Sequence, residues 1–377
     1  MTNATDTRYM AMALQLAERG LYSAHPNPRV GCVVVSGGEV VGTGWHRQAG
    51  EPHAEVNALE QAGERAKAAT AYVTLEPCSH HGRTPPCAQA LVDAGVARVV
   101  IATGDPNPAV SGQGLALLEA AGIETVSGVL AGPAGTLNAG FLRRVAGGNP
   151  WVRLKIAASL DGRTAMASGE SQWITGPEAR MDVQRLRARS GAIITGVGTV
   201  LADDPSLTVR PAQLGDMGTK ALPVRQPLRV VLDPRLRTDP ESRVVTGEGQ
   251  CLVVSTTATL DDGRASRLRE QGAEVVTVAP DGSGRPAVSA VMALLAARDI
   301  NDVLIEAGAT LAGSALESGL TDELWLYQAP TMLGSRAKPM AALTLDRMAQ
   351  QHRMVVGDRR VVGADQRLIL EPAARGH

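Results

Sequence analysis

The chain has 377 residues, a length that favours two or three domains and is sufficient to bury sizeable hydrophobic cores. Its 37 basic and 38 acidic side chains give a formal net charge of −1, and aromatic residues make up only 2% of the sequence. This balance argues against a nucleic-acid surface, a membrane-surface role and a stacking platform for single strands. No apolar stretch approaches the roughly 20 residues that a membrane-spanning helix needs.

The N-terminal segment predicts a helix rather than a secretion signal. Apolar residues recur at helical spacing from Met10 to Leu21, and the charged residues Asp6 and Arg8 precede them. We therefore expect an amphipathic first helix that ends near Gly20. The four cysteines do not form the pattern of a disulfide framework, and they fit the reducing cytoplasm, which is the expected location.

Up to about residue 145 the pattern alternates between strands and helices, which favours a layered α/β domain. The apolar stretches 30–35 and 40–45 are joined by the turn 36–39 and predict a hairpin. The remaining elements predicted here are helices at 53–62, 86–94 and 115–121, and strands at 71–75, 98–103 and 124–126.

The sequence Gly147-Gly148-Asn149-Pro150 predicts a domain junction, because glycine and proline interrupt regular structure. We therefore divide the chain into domains 1–147 and 148–377. The tail 354–370 predicts a β-hairpin, and the stretch 211–227, rich in proline, glycine and glutamine, predicts a surface loop. A second alternating series predicts helices at 177–189, 287–297 and 311–318, and strands at 151–157, 192–195, 228–232, 251–255, 274–278, 302–305 and 323–327.

Three potential metal ligands lie in the first domain: His53, Cys78 and Cys87. One histidine and two cysteines can hold a zinc ion and leave its fourth tetrahedral position to water. Glu55, two residues after the histidine, is not required as a ligand and can move protons to and from that water. This combination is the layout of the zinc-dependent deaminases of bases and nucleosides.

The predicted elements suit two of these ligands. Cys78 follows a predicted strand, and Cys87 begins a predicted helix directly after Pro86, where the helix dipole stabilises a thiolate. We expect His53 in the first turn of its own helix. Residues two apart do not share a helix face, so periodicity alone does not aim both His53 and Glu55 at a metal.

Two simpler interpretations of the cysteines stay open. A structural zinc would need a fourth protein ligand, which His80 or His81 could supply. Alternatively, Cys78 and Cys87 are ordinary loop thiols. The other two cysteines, Cys32 and Cys251, lie inside apolar strands and are expected to be small core residues.

Three segments of the second domain carry its chemistry: residues 155–175, 195–210 and 305–314. The third predicts a strand, a glycine turn and a helix start, a corner at which backbone N–H groups can face a phosphate. The glycine pattern of a Rossmann dinucleotide site is absent. Taken alone, such a glycine corner can also be an ordinary turn.

These residues together resemble a known family. The stretch His25-Pro26-Asn27-Pro28-Arg29-Val30-Gly31, the His53-Ala54-Glu55 motif and the eight-residue spacing between the two cysteines resemble the deaminase half of the bifunctional deaminase–reductases of riboflavin biosynthesis. The three segments of the second domain resemble the reductase half, and the resemblance covers about residues 8–370. It implies a cytidine-deaminase-like layered α/β domain followed by a dihydrofolate-reductase-like α/β domain.

The resemblance also implies roles for individual residues. Asn27 would position the pyrimidine substrate. After Asp233 the family pattern has serine, whereas this chain has Pro234, and Arg235 or Arg237 would substitute at the cofactor. Further substrate contacts would be made by Ser171, Arg187, Leu207, Arg210 and Glu306, and cofactor contacts by Ala157, Trp173, Thr199, Asp203, Gly308, Ala309, Thr310, Leu311, Ala312, Gly313 and Ser314.

The implied function is a pair of successive steps in riboflavin synthesis, with zinc in the first domain and NADPH in the second. The first step removes an amino group from a diaminopyrimidinone ribosylamine phosphate, and the second reduces the ribosyl chain to ribityl. Lys155, Asp161 and Glu306 are the candidate proton donors of the reduction. A homo-oligomer is expected. The alternatives are a nucleic-acid base deaminase with an appended domain and a non-catalytic zinc-stabilised scaffold.

Overall fold

The computed structural model describes residues 3–79, 86–107, 111–215, 224–256 and 263–373. The chain folds into two compact units, the first ending at Gly148 and the second beginning at Asn149. Each unit has hydrophobic clusters of its own, and each is described below by itself.

The first unit is a layered α/β structure around a five-stranded sheet. Its described elements, in chain order, are α1 (Ala4–Glu18), β1 (Gly31–Ser36), β2 (Glu39–Trp45), α2 (Ala54–Ala62), β3 (Thr70–Leu75), α3 (Cys87–Asp93), β4 (Arg98–Thr103), α4 (Gln113–Ala120), β5 (Glu124–Ser127), α5 (Ala131–Leu137) and α6 (Ala139–Val145). The sheet order is β2-β1-β3-β4-β5. Strand β1 pairs antiparallel with β2 and β3, whereas β3, β4 and β5 run parallel.

Two glycines of β2 fix the position of α2 on the sheet. A side chain at Gly42 would lie 2.1 Å from the carbonyl oxygen of Ala58, and one at Gly44 would lie 2.1 Å from that of Ala54. Because neither glycine has a side chain, the helix backbone packs directly on the strand. The N-terminus of α2, with His53 and Glu55, is thereby held against the end of the hairpin.

The second unit is built on a nine-stranded sheet of order β11-β10-β9-β8-β12-β6-β13-β16-β15. Its described elements are β6 (Trp151–Ser159), β7 (Arg163–Ala165), α7 (Pro177–Ala188), β8 (Ala192–Gly196), α8 (Val197–Asp203), β9 (Leu228–Leu232), α9 (Arg243–Thr246), β10 (Cys251–Thr256), α10 (Gly263–Glu270), β11 (Glu274–Val278), α11 (Val288–Ala296), β12 (Asp302–Glu306), α12 (Ala309–Glu317), β13 (Glu323–Ala329), β14 (Lys338–Pro339), β15 (Met354–Val362) and β16 (Asp365–Pro372).

The seven strands that lie between β11 and β13 in the sheet order, both included, are parallel to one another. The tail hairpin β15–β16 adds two antiparallel strands at the edge next to β13. Helices α11 and α12 pack on one face of the sheet, and helices α7, α8 and α10 on the other. Strands covered on both faces read as continuous apolar runs, which is why the sequence identifies them without an alternating pattern. The predicted α/β fold class is confirmed.

The structure also differs from the expected elements. The first helix ends at Glu18, and His53 caps α2 instead of lying in its first turn. Helices α5, α6, α8, α9 and α10 and the short strands β7 and β14 were not expected from the pattern. Of the predicted 211–227 loop, residues 216–223 lie outside the described residues. Cys32 and Cys251 are buried in strands, as expected. No described helix is both long and apolar enough to cross a membrane.

Candidate active sites

The first candidate site lies where three elements of the first unit begin or end. Cys78 follows β3, Cys87 is the first residue of α3, and His53 is the residue that precedes α2. The His53 Nδ1 atom is 3.2 Å from the Cys87 Sγ atom and 3.7 Å from the Cys78 Sγ atom. The structure therefore brings together the three ligand atoms that the sequence predicts.

These three atoms fit a zinc ion. They lie within 4.8 Å of one another. Ligand atoms that share one zinc at the usual bond lengths of about 2.0–2.3 Å must be about this close. Among the described residues the group has three members, and His80 and His81, the alternative fourth ligands, lie outside those residues.

The two thiols hold their protons unequally. The Cys87 thiol and its backbone N–H, whose nitrogen lies 3.3 Å from the Cys78 Sγ atom, both stabilise a Cys78 thiolate and hold its pKa at about 4. The pKa of Cys87 is raised far above its ordinary value, because its proton is shared with Cys78 and because the group is buried. Metal ions bind thiolates, so Cys87 would have to give up its proton in order to hold a zinc ion here.

Glu55 lies beside this group and is almost fully buried. Burial raises the pKa of its carboxyl to about 7, although the neighbouring His53 opposes the rise. The Glu55 carboxylate is one of the groups that raise the pKa of the Cys87 thiol. The backbone of His53 is extended, with φ −74° and ψ 167°, so the rule for residues two apart on a helix does not apply to His53 and Glu55.

His46 is a residue of this site that the sequence analysis missed. Its ring packs edge-on against that of His53, with 5.2 Å between the ring centroids. Its Nδ1 atom is 3.2 Å from the Pro52 carbonyl oxygen, and its Nε2 atom is 3.0 Å from the Asn27 Nδ2 atom. Burial lowers the pKa of His46 to about 4, so the ring is neutral. The available signal was its place directly after β2, at the end of a strand.

The contacts of His46 fix the orientation of the Asn27 side chain. A carbonyl oxygen only accepts hydrogen bonds, so the proton of the neutral ring is on Nδ1 and points at Pro52. The Nε2 atom of His46 is then an acceptor, and the Asn27 Nδ2 group donates to it. The Oδ1 atom of Asn27 is left as the acceptor that the side chain can offer to a ligand.

The second candidate site lies at the carboxyl ends of the parallel strands in the second unit. Glu306 ends β12, directly opposite Lys155 of β6, and Arg187 approaches from α7. The guanidinium of Arg187 donates two hydrogen bonds to the Glu306 carboxylate, at 2.6 and 3.0 Å, and a third to the Thr208 carbonyl oxygen. The Lys155 Nζ atom is 3.8 Å from Glu306 Oε2.

Burial and the neighbouring charges shift the pKa values of Lys155 and Glu306. Burial lowers the pKa of Lys155, and the nearby Arg187 adds to the effect. Burial alone would raise the pKa of Glu306, but the charges of Arg187 and Lys155 hold it below its usual value. The cluster therefore contains a carboxylate and an ammonium group that loses its proton more readily than an exposed lysine.

Two further predicted residues are brought together beside α8. The Ser171 hydroxyl donates to the Asp203 carboxylate at 3.2 Å. Trp173 is 67% exposed, and the Arg180 guanidinium stacks 4.5 Å from the centre of its ring. The free face of an exposed tryptophan ring is available to a flat ligand. Their assigned roles in cofactor and substrate binding stay predictions.

The glycine corner is present at the start of α12. Gly308 precedes the helix, and both Gly308 and Thr310 are exposed. Ala312 and Gly313 are buried, and a side chain at Gly313 would lie 2.1 Å from the Ala342 carbonyl oxygen. Ala309, Leu311 and Ser314 are half-buried, so the exposed residues of this predicted cofactor segment lie at the start of the helix. Two other predicted cofactor residues, Ala157 on β6 and Thr199 on α8, are also half-buried.

The remaining predicted residues differ in what they expose. Arg210 is exposed, and its backbone N–H donates to Gln184 at 2.9 Å. The Leu207 side chain is buried, so this residue can offer a ligand mainly its backbone. Asp161 accepts hydrogen bonds from the Ser159 hydroxyl and from the backbone of 333–334, which lower its pKa to about 2.

The departure at Pro234 occurs in a tightly held turn after β9. The buried Asp233 carboxylate accepts hydrogen bonds from the Thr238 backbone and hydroxyl at 2.7 and 2.8 Å. The Pro234 carbonyl oxygen accepts from the Ser255 hydroxyl at 3.3 Å. Leu236 is buried in this turn, and the neighbouring Arg235 and Arg237 are exposed.

The geometry thus defines a zinc-type deaminase site in one unit and, in the other, a parallel-sheet edge suited to a nucleotide cofactor. Residues 3–103 match the family described as the cytidine and deoxycytidylate deaminase zinc-binding region, and residues 150–368 match the family described as the RibD C-terminal domain. The riboflavin biosynthesis protein RibD of Escherichia coli is 51% identical, over 96% of this chain and 97% of its own length.

Solved structures agree over the full length. The RibD structure of Acinetobacter baumannii has a TM-score of 0.90 at 47% identity and covers 98% of this chain and 99% of its own. The diaminohydroxyphosphoribosylaminopyrimidine deaminase/5-amino-6-(5-phosphoribosylamino)uracil reductase of Thermotoga maritima has a TM-score of 0.83 at 31% identity, with the same coverage. The chain belongs to the RibD family of riboflavin biosynthesis proteins. It is a bifunctional deaminase and reductase that uses zinc and NADPH.

The first prediction concerns the metal ligands. We expect replacement of Cys87 by alanine to remove most of the zinc, because two remaining ligands bind the ion far more weakly than three. The measurement is zinc content per chain by atomic emission after dialysis. The matched control is Cys32→Ala, since Cys32 is a buried cysteine outside the ligand group and should leave zinc at about one ion per chain. Equal zinc in the two variants would contradict the assignment.

Proposed function

We propose that the first unit removes the 2-amino group of 2,5-diamino-6-(5-phosphoribosylamino)pyrimidin-4(3H)-one by hydrolysis. We further propose that the second unit reduces the ribosyl side chain of the product to ribityl. The observation that carries the proposal is the His53, Cys78 and Cys87 ligand set with Glu55 beside it, in a chain that aligns along its length with the Thermotoga maritima deaminase–reductase. The net charge of −1 supports a small-molecule substrate over a nucleic acid.

The chemistry of the first unit requires proton transfer. A zinc ion with three protein ligands lowers the pKa of a water molecule enough to supply hydroxide near neutral pH. Glu55 is the carboxylate beside the ligand set. It would accept the first proton of the attacking water and pass it to the ring nitrogen, and would then move the second proton, from the new hydroxyl group on the ring carbon, to the amino group that leaves as ammonia. Its burial supports this role, because a buried carboxyl group beside the ligand set holds a proton more readily than an exposed one.

Asn27 positions the pyrimidine through its Oδ1 atom. His46 occupies one N–H of the Asn27 amide, so the acceptor oxygen faces the ligand. The ring edge near the departing 2-amino group of the substrate carries N–H donors, which match an acceptor. His46 is thus the residue that keeps the Asn27 side chain from turning its amide nitrogen toward those donors.

The second prediction separates zinc binding from proton transfer. We expect Glu55→Gln to keep its zinc and to lose deamination by about 10²–10⁴-fold, the usual contribution of a positioned acid–base group. Ammonia release from the diaminopyrimidine substrate measures the first step, and NADPH oxidation on deaminated substrate measures the second. NADPH oxidation should be unchanged, because Glu55 lies in the first unit. Normal ammonia release by the variant would show that another group moves the proton.

Reduction of the ribosyl chain adds a hydride to C1′ and a proton to the ring oxygen that is released. NADPH supplies the hydride when it is bound. The pKa of Asp161 is about 2 and that of Glu306 is below its usual value, so neither carboxylate holds a proton to give. Lys155 is the remaining candidate, and its lowered pKa makes it a better acid than an exposed lysine.

The substrate phosphate is assigned to Arg210 in preference to Arg187. Both arginines were expected to contact the substrate, but the Arg187 guanidinium already donates to Glu306 and to the Thr208 carbonyl oxygen. The exposed Arg210 offers a free fork for bidentate contact with a phosphate. In this assignment Arg187 orients Glu306, which in turn holds Lys155 beside the sugar.

The third prediction tests the proton donor. We expect Lys155→Met to lower the rate of NADPH oxidation on deaminated substrate by at least about 100-fold, because the proton must come from a less suitable group. The dissociation constant of NADPH, followed by fluorescence quenching, should change little. Lys338→Met, which replaces an exposed lysine of the same unit, serves as the matched control. Near-normal oxidation in Lys155→Met would exclude Lys155 as the donor.

We also propose that the enzyme forms a homo-oligomer in the cytoplasm. Strand β15 ends the large sheet, and its Val355, Val356 and Val361 side chains are 57%, 57% and 77% exposed. An edge strand leaves a row of backbone N–H and C=O groups unpaired, so β15, which carries these exposed valines on either side of Asp358, Arg359 and Arg360, can pair with a second copy. The four free cysteines support a reducing compartment.

The fourth prediction concerns this edge. We expect the wild-type protein to sediment at a mass above that of one chain, and Val361→Lys to shift the equilibrium toward the monomer, because a charge on the strand opposes pairing. The measurement is sedimentation equilibrium at micromolar concentration. A wild-type protein that sediments as a monomer at these concentrations would contradict self-association.

A further inference from the structure

We propose that Asn138 is a positioning residue for deamination, which holds Asn27 in place by clamping the peptide groups of Arg29. The proposal rests on the proposed role of Asn27 in the first unit. Asn138 lies between α5 and α6, 109 residues from Arg29 along the chain, and its side chain is fully buried.

The clamp consists of a reciprocal pair of hydrogen bonds. The Arg29 backbone N–H donates to the Asn138 Oδ1 atom at 2.8 Å, and the Asn138 Nδ2 group donates to the Arg29 carbonyl oxygen at 2.8 Å. The carboxamide accepts a hydrogen bond from the N–H of Arg29 and donates one to its C=O, as the backbone of a neighbouring β-strand would. The Arg29 side chain adds a third bond, from Nη1 to the Leu137 carbonyl oxygen at 3.0 Å.

The Asn138 side chain does not cap the helix that follows it. Asn138 occupies the position before α6, where an asparagine side chain ordinarily accepts a hydrogen bond from the first turn of the helix. No such cap is formed by Asn138. The carboxamide is directed instead at Arg29, which indicates that holding this loop, and not stabilising α6, determines its orientation.

Asn27 lies in the clamped loop, two residues before Arg29, and contacts His46 beside the metal ligands. Asn27 lies between Pro26 and Pro28, two residues with fixed φ angles, so the segment moves as a stiff unit. On its other side, Asn27 is held by the contact between its Nδ2 group and His46. Loss of the Arg29 anchor would displace Asn27 relative to the ligand set, and errors of about 1 Å in a catalytic position can cost about 100-fold in rate.

The experiment measures deamination in Asn138→Ser and Asn138→Asp. Serine is too short to reach both peptide groups of Arg29, and aspartate keeps the acceptor but loses the donor. We expect kcat/KM for ammonia release to fall about tenfold or more in both, with zinc content and NADPH oxidation on deaminated substrate unchanged. Thr136→Val is the control, since it removes a hydrogen bond to Gly132 in the same helix without contacting the loop.

A double-mutant cycle with Asn27→Ala distinguishes positioning from a general loss of stability. If Asn138 acts through Asn27, then Asn138→Ser should cost little further activity once Asn27 is alanine. Normal deamination by both Asn138 variants, or an equal fractional loss in the presence and absence of Asn27, would overturn the proposal. Full activity of Asn27→Ala alone would instead refute the proposed role of Asn27, and the clamp proposal with it.

A measurement on the wild-type protein covers the case in which the variants lose zinc because they do not fold. Hydrogen–deuterium exchange of a peptide that contains 27–31 should show a strongly protected Arg29 amide, because that amide is buried and bonded to Asn138. Exchange at the rate of an open loop would overturn the clamp. If both variants lose zinc, Asn138→Gln, which keeps both bonding groups on a longer side chain, takes their place in the cycle. A loss of kcat/KM that disappears once Asn27 is alanine would support the clamp, and normal kcat/KM would overturn it.

Discussion

The carboxyl ends of parallel strands determine where chemistry can occur in both units of this protein. In the first unit, β3 and β4 are parallel, and Cys78 follows the end of β3. In the second unit, Glu306 ends β12, and Gly308 directly precedes the next helix at the same end of the sheet. Strand ends of this kind expose backbone groups and place the first turns of the following helices side by side. The two sites therefore share a construction although their chemistry differs.

Burial of charge is the second constraint, and each unit meets it in its own way. In the first unit, burial raises the pKa of Glu55, and hydrogen bonds from Cys87 lower that of Cys78. In the second unit, Arg187 satisfies both oxygens of Glu306. Removing one partner of such a buried pair leaves the other charge buried without compensation. Arg187 is therefore better suited to a permanent contact with Glu306 than to reversible binding of a phosphate.

The sequence was sufficient for the features that local pattern determines. The ligand set could be predicted because each ligand lies at the boundary of a recognisable element, and the strands could be predicted because both their faces are buried. Helix α5 was missed because it contains Gly132, Pro133 and Gly135, which ordinarily mark a loop.

The contacts that link distant residues had no local signature. The bond between Asn138 and Arg29 joins residues 109 apart, and the pair formed by Arg187 and Glu306 joins residues 119 apart. Neither the hydrogen-bond partner of Asn27 nor the neutral state of His46 can be derived from spacing. Such properties depend on the packing of whole elements, so the sequence indicated which residues matter more accurately than what each of them contacts.

The turn after β9 shows how a departure from a family pattern can be accommodated. Proline fixes its own φ angle and removes a backbone donor, so Pro234 stiffens the turn that Asp233 already holds. The Pro234 carbonyl oxygen accepts from Ser255, the penultimate residue of β10. The Ser255 hydroxyl is buried and bonded to this carbonyl oxygen, so it helps to hold the turn in place. The exposed Arg235 and Arg237 add positive charge to the same turn, which suits the phosphate groups of NADPH.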